Sequence, residues 1–192
     1  MSKNLLELPP NLPVPEDDGA CKHLEGSLIS SIALLSTSGH EVDLSKVTGT
    51  TIVYIFPMIG NPDAPPMLGW NEIPGARGCT PQSCAFRDIH ADLQKLGVNI
   101  YGLSAQPYDE QVKAVTRLHL PFELLNDTAL ALANSLVLPT FEYSNLCLIK
   151  RLTLIINDGK ISKVFYPVFP PNENAAQVFE WLNQSKTCKE FA

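Results

Sequence analysis

The chain has 192 residues, 45% of them hydrophobic, and a formal net charge of −6 at pH 7. That length suits one compact domain with a core of ordinary size. A mildly acidic balance without a long basic run excludes nucleic acid and anionic membrane as natural partners, and no run of roughly 18 apolar residues is present to span a bilayer.

The opening stretch MSKNLLELPPNLPVPEDDG carries one early lysine and no apolar segment of signal-peptide length, so a cytoplasmic location is expected. Five cysteines is an odd number, which argues against a purely structural disulfide framework. In a reducing compartment free thiols are the default, and a disulfide there is catalytic more often than structural. Asn126-Asp127-Thr128 and Asn183-Gln184-Ser185 match the glycosylation pattern, but without an export signal they read as chance.

Residues 1–27 hold Pro9, Pro10, Pro13 and Pro15, then Glu16-Asp17-Asp18, and read as an extended arm packed on the body or partly mobile. Residues 29–35 and 41–44 read as two short strands around Ser38-Gly39. Residues 50–56 (TTIVYIF) form a dense β-branched and aromatic run, the pattern of a strand buried on both faces. Residues 57–78 are a long loop rich in proline and glycine, and a loop of that length is more often functional than idle.

Pro81 marks a helix start with Thr80 as its cap, Phe86, Ile89, Leu93 and Leu96 give that helix one apolar face, and Gly97 ends it. A strand follows at 98–103 and a helix at 109–118. Pro121 opens an extended piece at 122–125, and Asp127 or Thr128 caps a short helix reaching about Leu136. Residues 146–149 read as a strand or the approach to a turn. Residues 151–156 and 161–168 form a hairpin about Asp158-Gly159, and Asn172 or Asn174 caps a last helix with Ala175, Val178, Phe179 and Leu182 inward. This order gives an α/β protein with a mixed central sheet flanked by helices on both faces, as in a thioredoxin-like arrangement with an N-terminal extension. Residues 28–192 read as a single domain, since no repeat or second linker is visible.

The chemistry concentrates in Gly78-Cys79-Thr80-Pro81-Gln82-Ser83-Cys84. Cys79 stands at a helix start, where unpaired N–H groups and the helix dipole favour a thiolate, the nucleophilic form. Attack on a peroxide gives a sulfenic acid, and a second thiol then condenses with it to a disulfide. Cys84, five residues on, is the natural resolving partner. Five helical residues separate the Cα atoms by roughly 8–9 Å, whereas a disulfide wants them within about 7 Å. Pairing therefore requires the first turn or two to unwind. Two buried, inert cysteines are the plain alternative for this pair. Zinc fits poorly, because the spacing is not C-x-x-C and His23, His40, His90 and His119 are scattered. No haem, flavin or metal motif is visible, so no cofactor is expected.

The segment 78–88, GCTPQSCAFRD, closely resembles the active-site segment of peroxiredoxins of the PrxQ, or bacterioferritin-comigratory-protein, type. The resemblance runs from about Leu28 to Leu182 and takes in Phe56-Pro57, the segment 96–104 and the run from Arg151 through Asp158-Gly159. It implies a thiol-dependent peroxidase acting on hydrogen peroxide and organic hydroperoxides by an atypical 2-Cys mechanism. Cys79 matches the peroxidatic cysteine and Cys84 the resolving one. Arg151 matches the arginine that stabilises the thiolate and orients the peroxide, a task suited to a planar, permanently charged donor fork. On the residues alone, Arg151 would be an edge-strand surface charge. The resemblance further implies reduction by thioredoxin or a similar dithiol donor, and a monomer or homodimer.

The chain departs from the family where Ala76 stands in place of the usual Thr or Ser, removing a hydroxyl, and where the loop 57–78 is longer. That insertion is open to three roles: covering the pocket, binding a partner, or supplying a replacement donor. Pro57 or Pro74 is expected to shape the pocket. Gln82 and Arg87 read chiefly as exposed helix residues, Cys147 as packing, and Cys21 and Cys188 as incidental. Two other functions compete: a thiol–disulfide reductase, disfavoured by the wide cysteine spacing, and a non-enzymatic redox sensor.

Overall fold

A computed structural model describes residues 5–65 and 67–190, with side chains described through Ser185, so Cys188 lies outside the described side chains. Its main sheet has seven strands, and the buried run foreseen at 50–56 supplies the central one. That strand, β3 (Thr50–Ile55), follows β1 (Ala33–Ser36) and β2 (Glu41–Asp43) in the chain. After it come α1 (Cys79–Asp88), α2 (His90–Lys95), β4 (Asn99–Ser104), α3 (Tyr108–Leu118), β5 (Glu123–Asn126) and α4 (Ala131–Ser135). The chain continues through β6 (Thr140–Tyr143), β7 (Leu146–Ile149), β8 (Leu152–Asn157), β9 (Lys160–Phe165) and α5 (Asn174–Glu190).

The strand order is β2-β1-β5-β4-β3-β8-β9, with β6 and β7 as a separate pair. Strands β3, β4 and β5 run parallel, while β8 is antiparallel to β3 and β9 to β8, which makes the expected mixed sheet. Alternation along β3 divides the core in two. Ile52, Tyr54 and Phe56 face a layer with Phe86 of α1, Leu93 of α2, Leu118 of α3 and Val178 of α5. Val53 and Ile55 face Leu24, Leu34, Leu132 of α4 and Leu154. Helices thus cover both faces unequally, with α4 and the segment around Leu24 on the second.

Several boundaries differ from the sequence reading. The first strand begins at Ala33 rather than Ile29. The helix expected from Thr80 to Leu96 is two helices, broken at Ile89 (φ −101°, ψ 5°). Apolar spacing does not register that break, because Phe86 and Leu93, on either side of it, are both fully buried. The cap is Gly78, not Thr80. Gly78 has φ 108° and Cys79 opens the helix, so Thr80 and Pro81 fall within its first turn, where Pro81's missing N–H leaves no bond unmade. Asp127 does serve α4, accepting from the Leu132 and Ala133 N–H groups at 3.2 and 2.9 Å. Residues 146–149 are a strand whose partner β6 was not foreseen. The hairpin turns on Ser144 and Asn145, both with positive φ (48° and 63°).

The arm, from Leu5 on, lies on the body. Lys150 Nζ reaches Asp18 Oδ2 at 2.9 Å, and Tyr166 donates its hydroxyl proton to Asp18 Oδ1, also at 2.9 Å. The Arg77 guanidinium donates to the Glu7 carbonyl at 3.3 Å.

Gly102, at the middle of β4, lets the sheet close over the Tyr54 ring. A Cβ there would lie 2.7 Å from Tyr54 Cζ and collide with Leu124 Cδ2. Gly102→Ala is expected to cost about 1–3 kcal/mol by overpacking. Thermal unfolding should register this as a midpoint lower by about 2–4 °C per kcal/mol for a chain of this size.

Candidate active site

The site forms where β3 and β8 end together. Antiparallel register pairs Ile55 with Leu152, so Arg151 enters β8 beside the point where β3 gives way to the long loop. That loop returns to the same place as α1 begins. Ligand crevices in α/β sheets lie at such carboxyl ends of parallel strands.

Cys79 is 3% exposed, at the first position of α1. An Arg151 guanidinium nitrogen (Nη2) donates to its sulfur at 3.1 Å. The same side chain donates to the carbonyls of Gly75 (3.2 Å), Ala76 (3.0 Å) and Arg77 (3.3 Å), and through its other terminal nitrogen to Gln82 Oε1. Arg151 is itself buried. The surface-charge reading of this residue is therefore overturned: antiparallel pairing carries it inward, where five acceptors meet its planar fork.

Gln82 is also buried, not exposed. It stands one turn beyond Cys79 on the same side of α1, and its Nε2 donates to Asn174 Oδ1 at 3.0 Å. Thr153 donates its hydroxyl proton to that same oxygen at 2.7 Å. Asn174 was expected among candidates to cap α5, but its side chain turns to Gln82 and Thr153 instead. No spacing rule links positions 82, 153 and 174, since they converge only through the sheet.

Ala76 contributes its backbone where a hydroxyl was expected. Its carbonyl accepts from Arg151 and lies 3.5 Å from the Cys79 sulfur. Gly78 is held from both sides: a Cβ added there would meet Pro171 and lie 2.9 Å from Leu8 Cδ2. The arm thus reaches the residue preceding the sulfur.

Cys84 lies on the next turns of an unbroken α1, and both cysteines are free thiols. Burial pushes the Cys84 thiol above its ordinary range, against a smaller opposing pull from the Arg87 charge. Arg87 holds the Asp88 carboxylate at 2.8 Å and the Leu118 carbonyl at 2.9 Å, tying α1 to the end of α3. Between the cysteines, Ser83 accepts a hydrogen bond from the buried Tyr54 hydroxyl at 3.2 Å, and the Tyr54 ring stacks on Phe86 at 4.7 Å. Cys21 is buried, with its thiol pushed up to about 12 by desolvation, and Cys147 is partly buried in β7.

A cavity of about 400 Å³ opens beside Arg151. Pro57, Ile73, Gly75, Phe141 and Val168 are among the residues on its wall, as is Pro74, so both prolines singled out in the sequence shape it. Cys79 is not on that wall; Arg151 both lines the cavity and touches the sulfur. Val14 and Pro15 of the arm also face the cavity. The inserted loop buries Trp70 against Phe141 and Tyr143, fixing the β6–β7 hairpin beside the same opening. Among the described residues, no group of three or more His, Cys, Asp or Glu side chains is placed to hold a metal ion. No helix among them is long and apolar enough to cross a membrane.

Residues 24–179 match the family described as Redoxin. A chloroplastic peroxiredoxin Q of Sedum lineare is 26% identical over 179 residues, covering 92% of this chain and 87% of the relative. Peroxiredoxin Bcp of Escherichia coli strain K12 is 26% identical over 164 residues, covering 83% of this chain and 95% of the relative. Among solved structures, peroxidoxin BcpB from Mycobacterium tuberculosis superposes with a TM-score of 0.67 at 21% identity, over 84% of this chain and 98% of its own. The fold is thus the thioredoxin-like peroxiredoxin fold.

The Cys84 thiol carries a pH dependence. Folding raises the affinity of this acid for its proton, so its contribution to stability is complete below the ordinary thiol range of about 8.5 and is lost as pH rises toward the elevated folded value. The thermal midpoint should therefore fall more between pH 7 and pH 10 in the parent protein than in Cys84→Ala. Equal falls in the two proteins would contradict this assignment.

Proposed function

The chain belongs to the Redoxin family, and from that premise we propose that it is a thiol-dependent peroxidase of the peroxiredoxin Q type, with Cys79 as the peroxidatic and Cys84 as the resolving cysteine. The observation that carries the reading is the Arg151 guanidinium, 3.1 Å from the Cys79 sulfur at the start of α1. A fixed cation and the helix N-terminus together favour an ionised, nucleophilic sulfur. The same cation faces the oxygen that becomes negative when the peroxide bond breaks.

The steps balance as follows. The Cys79 thiolate attacks the terminal oxygen of a hydroperoxide. The S–O bond forms, the O–O bond breaks, and the leaving oxygen takes a proton to become water or an alcohol. Cys79 is now a sulfenic acid. The Cys84 thiolate then attacks the oxidised sulfur, forming the disulfide and releasing the oxygen as water after protonation. A dithiol donor of the thioredoxin type returns two electrons and restores both thiols. Space beside Arg151, about 400 Å³ and largely apolar in lining, suits organic hydroperoxides as well as hydrogen peroxide. Residues 28–192 act as one catalytic domain, with Val14 and Pro15 of the preceding arm at its cavity, in a reducing compartment such as the cytoplasm.

Resolution requires a change of shape. With both cysteines in the continuous helix Cys79–Asp88, ideal geometry separates their Cα atoms by about 8–9 Å, beyond disulfide reach. The first turns of α1 unwind, breaking the bond from the Gln82 N–H to the Gly78 carbonyl (3.0 Å) and freeing Cys84 from its buried position.

Mass spectrometry after one equivalent of hydrogen peroxide should find a Cys79–Cys84 disulfide, with increased hydrogen exchange across 79–84. Cys79→Ser should abolish peroxide consumption. Cys84→Ser should consume one equivalent and then stall with thioredoxin and its reductase supplied. Stoichiometric oxidation of the parent protein without turnover under those conditions would select a redox sensor instead.

A further inference from the structure

The buried chain of amides behind Arg151 has a fixed polarity that the peroxidase chemistry above does not use. An arginine side chain offers only donors, so the amide of Gln82 must turn its oxygen toward Arg151. Its nitrogen then faces the other way, toward Asn174, which must answer with an oxygen. Thr153 adds a second proton to that oxygen at 2.7 Å. Arg151, Gln82, Thr153 and Asn174 are all buried, so water does not compete for any of these bonds. The Asn174 side-chain nitrogen finds no partner among the described residues, an expensive feature in a buried position. An apolar residue would avoid that cost but would leave Gln82's nitrogen and the Thr153 hydroxyl unanswered.

We propose that Asn174 is a positioning residue: by accepting from Gln82 and Thr153 it anchors the Gln82 amide with its oxygen on Arg151, and so holds the guanidinium on the Cys79 sulfur. Asn174 comes from α5, Gln82 from α1 and Thr153 from β8, so three elements lock one orientation. When Asn174 is lost, the Gln82 nitrogen and the Thr153 hydroxyl are buried without an acceptor. The Gln82 side chain then shifts toward another acceptor, its oxygen leaves Arg151, and Arg151 drifts from the sulfur. The consequence for turnover rests on the peroxidase reading; the consequence for the thiol does not.

The test is a double-mutant cycle. A carboxylate shows oxygen in both directions, so Gln82→Glu removes the need for a chosen orientation. Asn174→Leu should lower the second-order rate constant for oxidation of Cys79 by hydrogen peroxide about tenfold. It should also slow the alkylation of Cys79 by iodoacetamide at a fixed, neutral pH by a similar factor. In the Gln82→Glu background, adding Asn174→Leu should change either quantity less than about twofold. The same factor in both backgrounds, or no change in Asn174→Leu alone, would overturn the proposal.

If Asn174→Leu does not fold, Thr153→Val keeps the side-chain shape while removing one donor. It should give the same direction of change, about threefold, with recovery in Thr153→Ser, and an unchanged Thr153→Val would equally overturn the proposal. Alkylation is read without peroxide. A parent protein that consumes no peroxide while its alkylation rate still responds to Asn174→Leu would defeat the functional reading and leave the positioning role standing.

Discussion

A single guanidinium, that of Arg151, meets one sulfur, three loop carbonyls and one amide oxygen, and these contacts are mutually dependent. The carbonyls of Gly75, Ala76 and Arg77 place the last turn of the long loop, and that turn delivers Gly78 and Cys79 to the helix start. If the guanidinium moved, the loop would lose its anchor and the sulfur its cation together. Buried charge is tolerable only when its donors are answered. Here four of the five answering groups are three backbone carbonyls and an amide oxygen, which do not titrate.

Ala76 joins the same arrangement through its backbone. A threonine hydroxyl would bring a donor to the sulfur. The alanine brings none, yet its carbonyl still orients Arg151 at 3.0 Å. The left-handed Gly78 makes that backbone geometry accessible. The insertion before it has a visible structural task. Trp70 packs on the β6–β7 hairpin, and together they build one side of the cavity beside Arg151. The arm builds another, through Val14 and Pro15.

Rigidity and mobility are divided along α1. Tyr54 pins Ser83 and Phe86 to the sheet, and Arg87 ties the helix end to α3. The first turn has no side-chain cap and depends on Gly78, Pro171 and Leu8 for its place. The same turn is tied to Arg151 through Cys79 and Gln82, so unwinding it would break those contacts.

Much of this protein was legible in local pattern. β-branched density marked β3, a Gly-Cys-Thr-Pro step marked the start of α1 within two residues, and Asp158-Gly159 marked the last hairpin. Those signals are local because turn and helix-start chemistry act within a few bonds. The two cysteines were legible for the same reason, being five positions apart on one helix. Arg151 was identified by resemblance alone, and its burial contradicts what its residue type suggests. Gln82 was misread as exposed, and Asn174 as a cap, because their partners lie 69, 92 and 21 residues away in sequence. The strand β6 and the break at Ile89 were likewise invisible, since neither alters the apolar period. Sequence by itself determined most of the elements and the place of the two sulfurs on one helix, which depend on neighbours along the chain. Only the tertiary structure decided which polar groups share one buried volume, because that depends on strand register.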